Sequence, residues 1–302
     1  MGYTEIHADD YALSPAATED ILKCIRAGRL DSLSVLTNMS CYEEDARRYL
    51  AERKGWQKEP LLSVHLNFME GRCLSPASCL PHLADRNGFF RATWGQLLFW
   101  SFCPGKYQAI KKELKTEIRA QTEGFIRYFG RERALRFDGH QHTQMLPVVY
   151  QALFEVIREE GYQTEYVRVT KEPVLPYLMR PSLWKTYRPV NLVKNLLLNL
   201  LAIGMERRTR QEIGSRQPML LWGVMLSGRM DQKRVGMLLP LMKERAGRKG
   251  RTLEILFHPG ASRPEELGEE FIHEEARRFY LSRGRREEFD TVMGLQTGQG
   301  IC

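Results

Sequence analysis

Short β-rich runs alternate with stretches in which apolar residues recur every three or four positions. Ser14 and Pro15 make a helix N-cap and a first helical position. Ala17, Ile21, Leu22 and Ile25 follow at helical spacing, and Gly28 closes the turn. The run "LSVLTNM" (33–39) is β-prone, and "YEEDARRYLAERKG" after it predicts a charged helix. "PLLSVHLNF" (60–68) is nearly continuously apolar, as expected of a strand buried on both faces of a parallel sheet.

Ile110, Leu114, Ile118, Phe125 and Phe129 mark a long helix. "ALRFDGHQH" (134–142) predicts a strand running into a loop, and "LPVVYQALFEVIREEG" the helix after it. Later strands are expected at "TEYVRV", "PMLLWGV" and "TLEILFHPG" (252–260), with a last helix starting near Ser262 and Pro264. Repeated strand–helix units without a break in composition predict one α/β domain with a parallel sheet, most simply a barrel, over residues 1–290. Residues 291–302 are expected to form a C-terminal tail. Two stretches, 70–105 and 171–190, interrupt the rhythm, and inserted loops of that length usually serve as lids or docking surfaces.

Composition changes this picture little. The hydrophobic share of 43% is ordinary for a chain that buries a proper core. Six scattered cysteines without a C-x-x-C pair argue against a zinc ribbon or a redox motif and for a reduced, cytoplasmic setting. "MGYTEIHADD" has no basic leader followed by an apolar stretch, so no signal peptide is expected. The most apolar segment, "LVKNLLLNLLAIGM" (192–205), contains Lys194 and two Asn and is too short to span a bilayer. A core or interface helix is the expectation there; membrane-surface contact, with Arg207, Arg208 and Arg210 following, is the less favoured one. The net charge of +8 raises the question of nucleic acid. The basic runs "ERRTRQ", "KERAGRKGR" and "RRFYLSRGRREE" have acids mixed in and no aromatic alternation for base stacking, so solvated faces are expected and no nucleic-acid partner.

Chemistry gathers at the strand ends. Asp9 and Asp10 end the first strand, His65 lies near the end of the third, and His140 and His258 end later ones. In α/β barrels the loops after the strands build the active site. A carboxylate with two imidazoles suits a divalent cation that keeps positions open for water and substrate. One of the paired acids suffices as a ligand, and its neighbour can then accept a proton. In "DGHQH", two-residue spacing puts Asp138, His140 and His142 on one strand face, so any two of the three could ligate with the third orienting a ring.

"HADDYALS", "VHLNF", "DGHQHTQMLP" and "LFHPG", in this order, resemble the YdjC-type carbohydrate deacetylases, which include the chitooligosaccharide deacetylase and are related to the polysaccharide deacetylases. The segment "GVMLSGRMD" (223–231) is similar to the family as well. The resemblance implies an irregular (β/α) barrel, a possible homodimer, and a bound divalent ion, magnesium first and zinc as the alternative. It implies Asp10, His65 and His140 as metal ligands, Asp9 as general base and His258 as general acid. Arg168, in "YVRVTKEP", matches a family arginine near the site, with charge balance or substrate contact as its implied role. The chain departs from the family where it has His7 for Asn and Ala12 for Gly.

The expected activity is metal-dependent removal of an acetyl group from an N-acetylated sugar. Trp94, Phe99 and Trp100, in the aromatic-rich stretch 88–107, either stack on a sugar or pack as a lid or dimer contact. Two other readings are kept: a metal-dependent phosphoesterase, and a basic polyanion-binding module with a vestigial metal site. A two-carboxylate glycosidase fits poorly, because adjacent Asp9 and Asp10 cannot flank a scissile bond.

Overall fold

The computed structural model describes residues 3–214 and 219–295. Its strands are β1 (Thr4–Tyr11), β2 (Ser32–Val35), β3 (Leu61–Leu66), β4 (Leu135–Gly139), β5 (Thr164–Val167), β6 (Leu220–Trp222) and β7 (Leu253–Phe257). All pair in parallel, in the order β5-β4-β3-β2-β1-β7-β6. The helices are α1 (Pro15–Arg26), α2 (Tyr42–Glu52), α3 (Trp94–Trp100), α4 (Pro104–Phe129), α5 (Pro147–Glu160), α6 (Leu175–Leu178), α7 (Pro189–Ile213), α8 (Gln232–Gly247), α9 (Glu274–Tyr280) and α10 (Arg283–Gly294).

Strands β1 to β4 alternate polar and apolar residues that are mostly buried on both faces. On β1, Glu5, His7 and Asp9 alternate with Ile6 and Ala8; on β2, Ser32 and Ser34 alternate with Leu33 and Val35. β3 adds Ser63 and His65, and β4 adds Arg136 and Asp138. A two-residue period puts each polar set on one side of the sheet. Glu5 of β1 accepts from Arg136 of β4 at 2.5 Å although β2 and β3 lie between them. Arg168, just past β5, reaches Glu254 of β7 at 2.6 Å. Only a curled sheet allows such contacts, so the polar face is the concave one. This curled parallel sheet is the irregular (β/α) barrel that the family resemblance implied. Leu221 N donates to Lys171 O (3.1 Å), drawing the β6 edge to the segment that follows β5.

On the convex side, Leu33, Val64, Phe137 and Ile255 pack with helix residues such as Ile21, Leu22 and Leu153 in the main core. Helix α1 begins as its sequence predicted: Ser14 caps it by accepting from Ala17 N, Pro15 opens its first turn, and Gly28 follows its end at φ +66°.

Three expectations about element bounds need correction. The run 33–39 is strand only to Val35; the chain then turns inward, and Leu36 and Met39 join Leu13, Leu267, Phe271 and Tyr280 in a second small core. No helix starts near Ser262: one 3-10 turn forms at Pro264–Glu266, and burial of Leu267 and Phe271 in that core delays the helix to Glu274. Residues 291–294 are helical in α10 rather than tail, while 296–302, Cys302 among them, lie outside the described residues.

Both long insertions are tied down. Glu113, Glu117 and Gln121 recur every four residues on one face of α4. They bind the backbone at His82 and Leu83, at Leu74 and Ser75, and at Asn67. In the other insertion, the buried Glu172 carboxylate accepts from Gly223 N (2.8 Å), Met225 N (2.9 Å) and the Tyr177 hydroxyl (2.6 Å).

Candidate metal centre

Parallel register brings the candidate residues together. Ala8 pairs with Phe257, so Asp9 and His258 are the next residues along two neighbouring strands. His65 of β3 lies directly opposite Asp138 of β4. Asp10 has φ 70°, a left-handed conformation that turns its side chain off the strand's alternation and toward the barrel mouth.

Asp10 Oδ1 lies 3.0 Å from His140 Nδ1 and 3.5 Å from His65 Nε2. Ligands about 2.0–2.1 Å from one ion stand about 3–3.5 Å from each other. Donor atoms of these three residues all fall within 4.8 Å of one another. His65 Nε2 is buried without a hydrogen-bond partner, although the ring's other nitrogen is held at 2.6 Å by Asp138 Oδ1. A buried imidazole nitrogen left open beside a carboxylate and a second imidazole is what a divalent cation requires. Asp10, His65 and His140 therefore fit the ion, and each has an outer partner fixing its orientation. Arg285 donates to Asp10 Oδ2 at 2.7 Å, Asp138 holds His65, and the Tyr280 hydroxyl lies 2.8 Å from His140 Nε2.

The electrostatics agree with this geometry. Burial alone would raise Asp10, but His140 and Arg285 override it and hold the carboxyl well below its usual range. Asp9 behaves likewise, burial being outweighed by Arg168, with His65 and His7 assisting. Burial would depress His65, yet Asp9, Asp138 and Asp10 push it up to about 10. The pocket thus demands positive charge at the position where His65 Nε2 points.

Asp9 is braced on its other side. Arg168 donates to Asp9 Oδ1 at 3.0 Å and Oδ2 at 3.2 Å and reaches Glu254 at 2.6 Å, its guanidinium wholly buried. His7 Nε2 is 3.0 Å from Asp9 Oδ1, and the same ring bonds Ser32 at 2.6 Å and Ser34 at 2.7 Å. His7, Asp9 and Asp138 form a second group with metal-like spacing. Arg168 already stands 3.0 Å from Asp9 and 3.2 Å from Asp138, supplying there the charge an ion would bring.

The equal standing of Asp138, His140 and His142 does not survive. β4 ends at Gly139, and Gln141 and His142 take left-handed angles (φ 54° and 62°), so the strand alternation stops before His142. Asp138 faces His65, His140 faces Asp10, and His142 turns to the Thr170 hydroxyl at 3.3 Å. Burial, with Lys194 and Arg168, holds His142 well below the usual imidazole range.

His258 follows β7, its backbone N–H donating to Glu288 at 2.6 Å and its Nδ1 3.6 Å from that carboxylate. The ring is the most exposed of the group, at 14%. Trp94 and Trp100 pack partly against the core, while Phe99 is exposed.

Sequence reasoning missed Arg285, Tyr280, Glu254, Glu288 and Lys194. Arg285 sits within a basic run read as a solvated face, yet it is fully buried on Asp10. A serine–arginine break before an otherwise charged helix gave no local sign of that.

The sequence pattern of the family described as YdjC-like protein matches residues 5–300. A carbohydrate deacetylase from Danio rerio is 28% identical over 57% of this chain and 51% of its own length. One from Mus musculus is 31% identical over 56% and 49%, and a chitooligosaccharide deacetylase from Proteus mirabilis (strain HI4320) is 27% identical over 52% and 55%. The chain thus spans about half the length of the curated relatives it matches. Across 97% of this chain and 95% of the other, the fold is like a crystal structure from Enterococcus faecalis V583, with a TM-score of 0.56 and 16% identity. That protein is provisionally described as a cellobiose-phosphate cleavage protein.

Proposed function

The chain belongs to the YdjC-like protein family, and on that premise we propose that it is a carbohydrate deacetylase, hydrolysing the acetamide of an N-acetylated sugar with one divalent cation at Asp10, His65 and His140. The observation that carries this reading is the open, buried Nε2 of His65 facing Asp10 beside His140. Magnesium is the first choice of ion and zinc the second. When bound, the cation lowers the pKa of a water molecule and polarises the acetamide carbonyl.

The remaining work falls to the chain's own groups. Asp9 accepts the proton of the attacking water. Its carboxylate is ionised at any working pH, and Arg168 and His7 fix its orientation. Held so low it is a weak base, so position does more than basicity. His258, on the neighbouring strand end, gives a proton to the departing amine, with Glu288 anchoring its backbone. Arg168 has its bonds on Asp9 and Glu254, which supports charge balance as its role over substrate contact. Among the described residues, the second metal-like group is neutralised by Arg168, which favours one-cation amide hydrolysis over two-metal phosphoryl transfer.

Acetate release from a panel of N-acetylated oligosaccharides and lipid-linked sugars, with magnesium or zinc, tests the reading. Asp9→Asn should lose about 10²–10⁴-fold in rate, and His65→Ala more. Silence of the parent on every acetamide would sink the deacetylase assignment. Full rates in both variants would sink the residue roles.

A further inference from the structure

Helix α7 wears its apolar face outward. Val193, Leu196, Leu200 and Ile203 recur at three- and four-residue spacing on one side, each more than half exposed. The inward side carries Asn195 and Asn199 beside Leu198 and Ala202, with Asn199 donating to Glu172 O at 2.8 Å. Surface helices show the opposite arrangement. Val190, in the first turn of α7, and Trp184 and Met179, in the segment before it, are exposed as well. Of the sixteen exposed large hydrophobic side chains among the described residues, ten fall between Leu175 and Ile203. An apolar patch so concentrated marks a docking surface.

Charge decides the occupant. Between Glu172 and Glu206 the chain has no acid; Lys185 and Arg188 are exposed there, Arg207 and Arg210 follow on α7 and are exposed too, while the Lys194 amino group is buried. Glu206 is itself turned inward onto Lys171 and Arg251. Near the start of α7, Arg188 and Arg234 stand close enough to Arg229 to lower its pKa further, after burial. A two-fold contact between copies would set this face against itself, cation on cation. An anionic lipid surface takes the apolar stripe and the cations together. Among the described residues no helix is long and apolar enough to cross a membrane, so α7 would lie in the interface plane. The inward side of the same helix packs against residues 140–145, which include His140 of the proposed site.

We propose that the outward face of α7 seats the protein on an anionic lipid bilayer, and, resting on the deacetylase reading, that the acetamido sugar it receives is carried by a membrane-embedded lipid. The full chain is sedimented with vesicles of phosphatidylcholine alone and of phosphatidylcholine mixed with phosphatidylglycerol. The parent should pellet with the mixed vesicles only. Val193→Asp combined with Leu200→Asp should keep the parent's thermal midpoint and stay in the supernatant. Arg188→Ser with Arg207→Ser should weaken binding about 25-fold, each cation near the surface contributing about fivefold.

A parent that ignores both vesicles overturns the proposal. So does a parent dimer that the paired aspartates split, which would make the face a contact between copies. Should the aspartates unfold the chain, the serine pair decides, and unchanged binding is then the refuting result. Acetate release from a short soluble N-acetylated oligosaccharide keeps the two readings apart. Its absence beside intact vesicle binding removes the deacetylase and the lipid-borne sugar but leaves the membrane surface standing. Its presence in a parent that binds no vesicle removes the surface alone.

Discussion

His65 Nδ1 and Asp138 Oδ1 are 2.6 Å apart, carried by residues directly opposite one another on β3 and β4. The bond fixes the ring so that Nε2 points at Asp10. Asp138→Asn keeps the size of the side chain and weakens that hold. Affinity for the divalent ion should fall about 10–100-fold, measured by calorimetric titration of the purified chain. Unchanged affinity would mean that Asp138 does not orient the ligand.

The pH dependence of ion uptake has a definite sign. With its pKa pushed up to about 10 by surrounding carboxylates, His65 carries a proton at neutral pH when no cation is bound. An incoming ion must displace that proton, so uptake at neutral pH should release about one proton. Affinity should rise as pH climbs toward 10 and level off above it. Calorimetry in buffers of different ionisation enthalpy reads the proton count directly, and a count of zero would contradict the assignment of His65.

Arg168 balances Asp9, Asp138 and Glu254 in a region closed to water. Arg168→Met leaves those carboxylates uncompensated and should cost about 3–5 kcal/mol of stability, read from denaturant midpoints. Arg168→Lys retains a charge but not the two-point grip on Asp9, and should lower kcat while leaving KM unchanged. A raised KM with normal kcat would instead make Arg168 a substrate contact.

Ala12 has φ 67° and is buried in the turn after the paired acids. A side chain in the left-handed region costs about 1–2 kcal/mol, and glycine gives back part of that as chain entropy. Ala12→Gly should therefore raise stability by about 0.5–1 kcal/mol without touching a catalytic group. A lower thermal midpoint would show that the buried methyl outweighs the backbone strain.

Much of the fold was legible because strand and helix periods differ so plainly: α1 with its Ser14 cap, the β3 run and α5 lie close to where their patterns put them. The concave face was not. Polar residues at every second position on β1 and β2 have the period of a solvent face, and only the curl of the sheet turns Glu5, His7 and Ser34 into a buried network. The grouping of Asp10, His65 and His140 followed from strand-end position together with the family resemblance. What local pattern cannot carry is long-range partnership. Arg285 lies 275 residues from Asp10, and Tyr280 lies 140 from His140. His142 was misjudged for a local reason, since a two-residue spacing means nothing once the backbone leaves the strand at Gly139. For α7, the apolar composition was plain but the side it faces was not.

The account turns on where a single ion binds. Anomalous diffraction at the zinc edge, from crystals grown with the metal, measures this directly. One peak should appear about 2.0–2.2 Å from Asp10 Oδ1, His65 Nε2 and His140 Nδ1, with Asp9 close by but held by Arg168. A peak seated instead among His7, Asp9 and Asp138, or no peak in the barrel at all, would contradict it.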